Sequence, residues 1–106
     1  MSSNRGMGDI MKQAQRMQQQ LARLQDEMAD REIEATSGGG AVLAVVNGKQ
    51  ELIRLDIAKE VVDPEDMDTL RDLIIAAVNL AHGNAREMVE SEMNKITGGL
   101  SIPGLL

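Results

Sequence analysis

Hydrophobic spacing changes period twice along the chain. From Met7 to Asp30 apolar residues follow a seven-residue repeat, with Met7, Ala14, Leu21 and Met28 at one seam position and Ile10, Met17 and Leu24 at the other. Such a stripe is one face of an α-helix and predicts a first helix over about 7–30. Three heptads are too few for a stable isolated helix, so the stripe must pack on the other long helix or on its own symmetry mate. After Asp30 the period falls to two. Arg31-Glu32-Ile33-Glu34-Ala35-Thr36 alternates polar and apolar, which predicts a half-buried strand over 31–37. Ser37-Gly38-Gly39-Gly40 reads as a turn, and the β-branched run from Ala41 to Val46 as a central strand over 41–46. Asn47-Gly48 then gives a hairpin signal, because both residues tolerate positive φ. A third strand over 50–58 is expected to turn Ile53, Leu55 and Ile57 to one face and Arg54 and Asp56 to the other.

The last run is the longest, a helix expected over about 64–97. Pro64 suits a first helical position because its missing N–H is an orphan donor there, which makes Asp63 the expected N-cap. Glu65, Asp66 and Asp68 then face the positive end of the helix macrodipole. Met67, Leu70, Leu73 to Val78, Leu80 and Ala81 leave little polar face, so the middle of this helix is expected to be covered on most sides. Gly98-Gly99 terminate it and Pro103 blocks resumption. The apolar tail over 98–106, with Leu100, Ile102, Leu105 and Leu106, either folds back or forms a sticky end. The order predicts an α+β fold, α-β-β-β-α, with an antiparallel meander between two long helices in a single domain over 1–106.

The chain has 106 residues, eight of them Met, and no Phe, Tyr, Trp or Cys. Cysteine chemistry is therefore excluded, and a core without aromatic residues is thin, which points to a homodimer that completes the burial. No apolar run reaches membrane-spanning length and the first nine residues lack the apolar centre of a secretory signal, so a cytoplasmic protein is expected, with no membrane contact.

The net charge of −6 argues against a surface that attracts nucleic acid everywhere. Its distribution changes that picture. Up to Gln25 the chain holds Arg5, Lys12, Arg16 and Arg23 against Asp9 alone, a net +3, whereas the remainder carries −9. Relative to the heptad seam these four cations lie at outer positions, a basic row on an acidic body. An outer row of Lys and Arg is also what solubility requires of any amphipathic helix.

Other candidate chemistry reduces to structure. A strand, not a helix N-terminus, follows Gly38-Gly39-Gly40, so that loop is a turn and not a phosphate cradle. His82 is the single histidine and lacks the companions that a metal or nucleophile site needs. The acids at 63, 65, 66, 68 and 72 lack calcium-loop spacing and read as helix capping. Methionine at seam positions reads as core or dimer contact before peptide groove. No enzyme, cofactor, metal or small-molecule substrate is expected.

Three stretches together resemble the YbaB/EbfC family of bacterial nucleoid-associated proteins. They are Gly38-Gly39-Gly40-Ala41-Val42 leading to Asn47-Gly48, Asp63-Pro64-Glu65-Asp66 through Leu70-Arg71-Asp72-Leu73-Ile74, and Lys95-Ile96-Thr97-Gly98-Gly99-Leu100 with Pro103-Gly104. The likeness covers essentially the whole chain, including the Met- and Gln-rich first helix. It implies an intertwined homodimer with protruding helices, binding of duplex DNA with little sequence specificity, and a role in organising or protecting the nucleoid. The matching basic positions are Arg5, Lys12, Arg16 and Arg23 on the first helix, with Arg86 and Lys95 near the end of the last. The alternative from another class is a helical adaptor that holds a protein partner through its Met/Leu seams and apolar tail.

Overall fold

Val42, Ala44 and Val46 have no exposed surface, and they fix the centre of the molecule. They alternate along the middle strand of a three-stranded sheet, where the pleat sends every second side chain to the same face. The computed structural model describes residues 2–98, and the side chains of residues 6–98. The side chain of Arg5, and the apolar tail after Gly98, lie outside the described residues. The elements are α1 (Ser2–Ala29), β1 (Glu32–Ser37), a 3-10 turn (Gly38–Gly40), β2 (Val42–Asn47), β3 (Leu52–Ile57), a second 3-10 turn (Lys59–Val61) and α2 (Met67–Thr97). The sheet is antiparallel throughout, in the order β1-β2-β3.

α2 lies across β1 and β2. Ala77, Ala81 and Ala85, one turn apart, are fully buried against Ala35, Val42, Ala44 and Val46. Small residues at i, i+4 and i+8 let the helix approach the sheet closely, and the β-branched valines fill the remaining space. Ser37 Oγ donates to the Leu73 carbonyl at 2.6 Å and ties the end of β1 to the same helix. Leu21, Leu24, Met28 and Ala29 of α1 are buried, with Leu24 beside Ile96 and Met28 towards Val89, so the second half of α1 runs antiparallel to the end of α2.

Beyond that contact α1 continues as an arm. Met7 and Ile10 of the expected seam are 65% and 66% exposed, Ala14 is exposed, and only the seam from Leu21 onward is covered within one chain. The molecule is accordingly 78 Å long and 22 Å by 16 Å across. Its radius of gyration of 20.4 Å far exceeds the roughly 13 Å of a compact chain this size. The projecting element is α1.

Four local expectations are corrected. α2 starts at Met67, and its N-cap is Asp66, whose carboxylate accepts from the Thr69 N–H. Asp63 instead accepts from the Glu65 N–H at 2.9 Å while the Asp66 N–H reaches the Asp63 carbonyl, so Asp-Pro closes a turn ahead of the helix. The apolar middle of α2 is covered on one side only, for Ile75 and Leu80 are half exposed. The pairing of β2 with β3 shifts between Val45 and Val46, so Val46 faces Leu52 while Val45 faces Arg54. This bulge removes Ile53 from the alternation and sets Leu52, with Leu55 and Ile57, on the helix side of the sheet. Arg54 and Asp56 are on the other face as expected, paired at 3.0 Å.

The fourth correction concerns Asn47-Gly48. Positive φ in this connection falls on Gln50, at +67°, and not on Asn47 or Gly48. Asn47 ends β2, and its side chain closes the turn. Its Oδ1 accepts from the N–H groups of Lys49 and Glu51, at 2.9 and 3.0 Å, and its Nδ2 donates to Glu51 Oε1. Asn47 is nearly buried, at 9% exposure, so Asn47→Ala would strand two backbone donors and is expected to cost about 2 kcal/mol in urea unfolding.

Candidate nucleic-acid interface

The geometry of the basic row follows from helix pitch alone. At about 100° and 1.5 Å per residue, Lys12, Arg16 and Arg23 fall within roughly 40° of one another over roughly 17 Å of α1. Leu21, Leu24 and Met28, which α1 buries, lie on nearly the opposite side. Lys12, Arg16 and Arg23 are all exposed. Among the described residues the ion pairs are Arg54–Asp56, Arg71–Asp68 and Lys95–Glu92, and none of them involves Lys12, Arg16 or Arg23. A straight cationic edge with no internal partners can exchange its counterions for those of a polyanion.

The two cations of α2 are placed differently. Arg86 is exposed on the far side of α2 from the alanines that meet the sheet, so the fold does not bring it to the row. Lys95, in the last turn, offsets the negative end of the helix and is held by Glu92 at 3.0 Å. It lines an open cavity of about 430 Å³ between the helices together with Gln20, Arg23, Leu24, Glu27 and Ile96. Arg23 and Lys95 thus share a groove, which spacing along the chain did not reveal because it depends on the antiparallel register of α1 against α2. Gln20 and Glu27 escaped the sequence reading for the same reason. Glu27 and the exposed Asp26 and Asp30 end the basic stretch at the foot of α1.

No described helix is long and apolar enough to cross a membrane.

With the arm and its charges placed, likeness to known proteins becomes informative. The model of the YbaB/EbfC DNA-binding family matches residues 3–100. The chain belongs to that family. A nucleoid-associated protein of Thermoanaerobacter pseudethanolicus is 52% identical over 99 residues, covering 93% of this chain and 89% of its own. A nucleoid-associated protein of Clostridium novyi is 46% identical over 105 residues, covering 99% and 92%. Among solved structures, an uncharacterized protein of Helicobacter pylori superposes with a TM-score of 0.62 at 24% identity, covering 74% of this chain and 90% of the other. That structure supports the α-β-β-β-α arrangement alone. A YbaB/EbfC member is a DNA-binding protein, in keeping with a sequence that offers no catalytic arrangement.

Proposed function

We propose that this protein acts as a homodimer that binds duplex DNA in the bacterial nucleoid with little sequence specificity. The exposed, unpaired row of Lys12 and Arg16 on the projecting arm, with Arg23 at its root beside α2, carries this reading, and Arg5 extends the row by its position in the sequence. Family membership and the names of the relatives support it. Row cations contact phosphates, which every duplex sequence presents alike. The absence of aromatic residues removes the stacking on which single-strand binders depend. Lys95 is the further contact beside Arg23, and Arg86 contributes least because it faces elsewhere.

The homodimer has its own support. α2 covers β1 and β2 and leaves the helix-side face of β3 open, where Leu52 and Ile57 stand exposed, and Ile75 of α2 is half exposed as well. β3 is also a sheet edge with unpaired backbone groups, a combination that a second copy of the chain relieves. Two copies bring two arms, and a bivalent grip gains affinity without new contacts.

Fluorescence anisotropy with a random-sequence duplex tests the reading. Saturable binding that weakens steeply with salt is expected, with little change when the duplex sequence is shuffled. Absence of binding to any duplex, with capture of a protein partner instead, would overturn it in favour of an adaptor.

A further inference from the structure

The arm has to be held at a defined angle if it is to grip anything, and besides the packing of Leu24 on the end of α2 two contacts that fix its root meet at the β2–β3 turn. Three elements converge there. On the α1 side, Gly48 lies against the last turn of the helix, where a β-carbon would overlap the Met28 carbonyl oxygen and come within 2.6 Å of its carbon. That carbonyl also accepts from the Arg31 N–H at 3.0 Å, so the chain leaving α1 is tied at the same point. On the α2 side, the Gln50 side chain reaches His82. The ring Nδ1–H donates to Gln50 Oε1, and Gln50 Nε2 donates to the His82 carbonyl at 3.3 Å. Gln50 adopts φ of +67°, the one non-glycine residue among those described to do so. A left-handed conformation costs a residue with a side chain about 1 kcal/mol or more, so a residue kept there is over-determined by its surroundings. Asn47 fixes the turn internally through its bonds to residues 49 and 51.

We propose that this turn is the mount of the arm: Gly48 seats the end of α1, Gln50 latches the same turn to His82 on α2, and the two contacts together lock the direction that the packing of α1 on α2 allows the basic row. Gly48, Gln50 and His82 are positioning residues that touch no DNA. The proposal rests on the reading of α1 as the gripping element, and it adds a means by which residues far from the row govern affinity. A pre-aimed arm spares the ordering entropy that a swivelling arm loses on binding.

The test measures arm direction and DNA binding separately. The chain has no cysteine, so spin labels at Gln13→Cys on the exposed arm and Lys59→Cys on the exposed body report one intrachain distance, with labelled chains diluted in unlabelled ones. Gln50→Gly removes the latch and leaves a residue suited to the left-handed backbone. Ser37→Ala is the control, because it removes the hydrogen bond to the Leu73 carbonyl at the other end of the sheet. Gln50→Glu, which keeps the acceptor for His82 Nδ1–H and loses the donor to the His82 carbonyl, is the half-latch variant. The parent is expected to give a narrow distance distribution. Gln50→Gly should broaden it about twofold and lower duplex affinity about tenfold with an unchanged salt slope, since the phosphate contacts are all retained. Ser37→Ala should do neither, and Gln50→Glu should fall between the parent and Gln50→Gly. An unbroadened distribution in Gln50→Gly, or equal broadening in Ser37→Ala, would overturn the mount whatever the affinity. Should the parent fail to bind duplex, the DNA reading falls, and the distance distributions still decide the mount.

Discussion

Replacing Arg16 and Arg23 together by glutamine is expected to lower duplex affinity by on the order of a thousandfold at 0.1 M salt. The size follows from counterion release. Each side chain of the row that neutralises a phosphate frees nearly one condensed cation from the duplex, and a homodimer presents every position twice. The double substitution therefore removes four contacts, each worth roughly a factor of eight at that salt concentration, or about four-thousandfold together. Both residues are exposed, unpaired and on the side of α1 away from the buried Leu21, Leu24 and Met28, so glutamine leaves the fold intact and its helix propensity is close to that of arginine. Circular dichroism and the thermal midpoint should match the parent. Arg71→Gln with Arg54→Gln is the matching control. It removes the same charge from residues that already have carboxylate partners at 3.0 Å, and should change affinity several-fold at most.

The second large effect concerns assembly. The parent should scatter light as a species of about 23 kDa, twice the chain mass of 11.5 kDa. Ile75→Glu should shift it towards the chain mass and lower its thermal stability. Ile75 is half exposed on α2 and, with the exposed Leu52 and Ile57 of β3, belongs to the apolar surface that a lone chain leaves uncovered. In a lone chain a carboxylate there meets water and costs little. In a dimer that buries this face it is an unpaired buried charge, which weakens association by at least about 3 kcal/mol, or more than a hundredfold. Ala76→Glu, at the next and also exposed position of α2, distinguishes this face from the rest of the helix surface. A parent that scatters as a well-folded single chain at micromolar concentration would remove the homodimer, and the bivalent grip with it.

Element order, sheet direction and the outward row were legible in the sequence because each depends on a local period. The heptad from Met7 to Met28 placed the cations opposite the seam without any knowledge of packing. The alternation from Arg31 to Thr36 and the valines of β2 specified strands in the same way. What failed was what one side chain or one register decides. Asp63-Pro64 resembles a helix start, but the Asp63 carboxylate closes a turn on Glu65, and the cap passes to Asp66. Asn47-Gly48 marked the hairpin correctly for the wrong reason. Asn47 acts through its side chain, Gly48 through lack of one, and the left-handed residue is Gln50. The bulge at Val45 and Val46 has no mark in the pattern, because β3 reads as a good strand in either register. The shared groove of Arg23 and Lys95 was out of reach for a different reason, since it joins residues from opposite ends of the chain. The continuous apolar run of α2 predicts cover on most sides, and a single chain leaves Ile75 and Leu80 half exposed.

The most direct test of the central claim is the salt dependence of binding to a random-sequence duplex. If Arg5, Lys12, Arg16 and Arg23 of two chains each neutralise a phosphate, log K against log salt should fall with a slope of roughly −7, and removing one position should reduce its magnitude by about two. A complex whose affinity does not respond to salt, or a slope unchanged by Arg16→Gln, would contradict the assignment of the arm as the gripping surface.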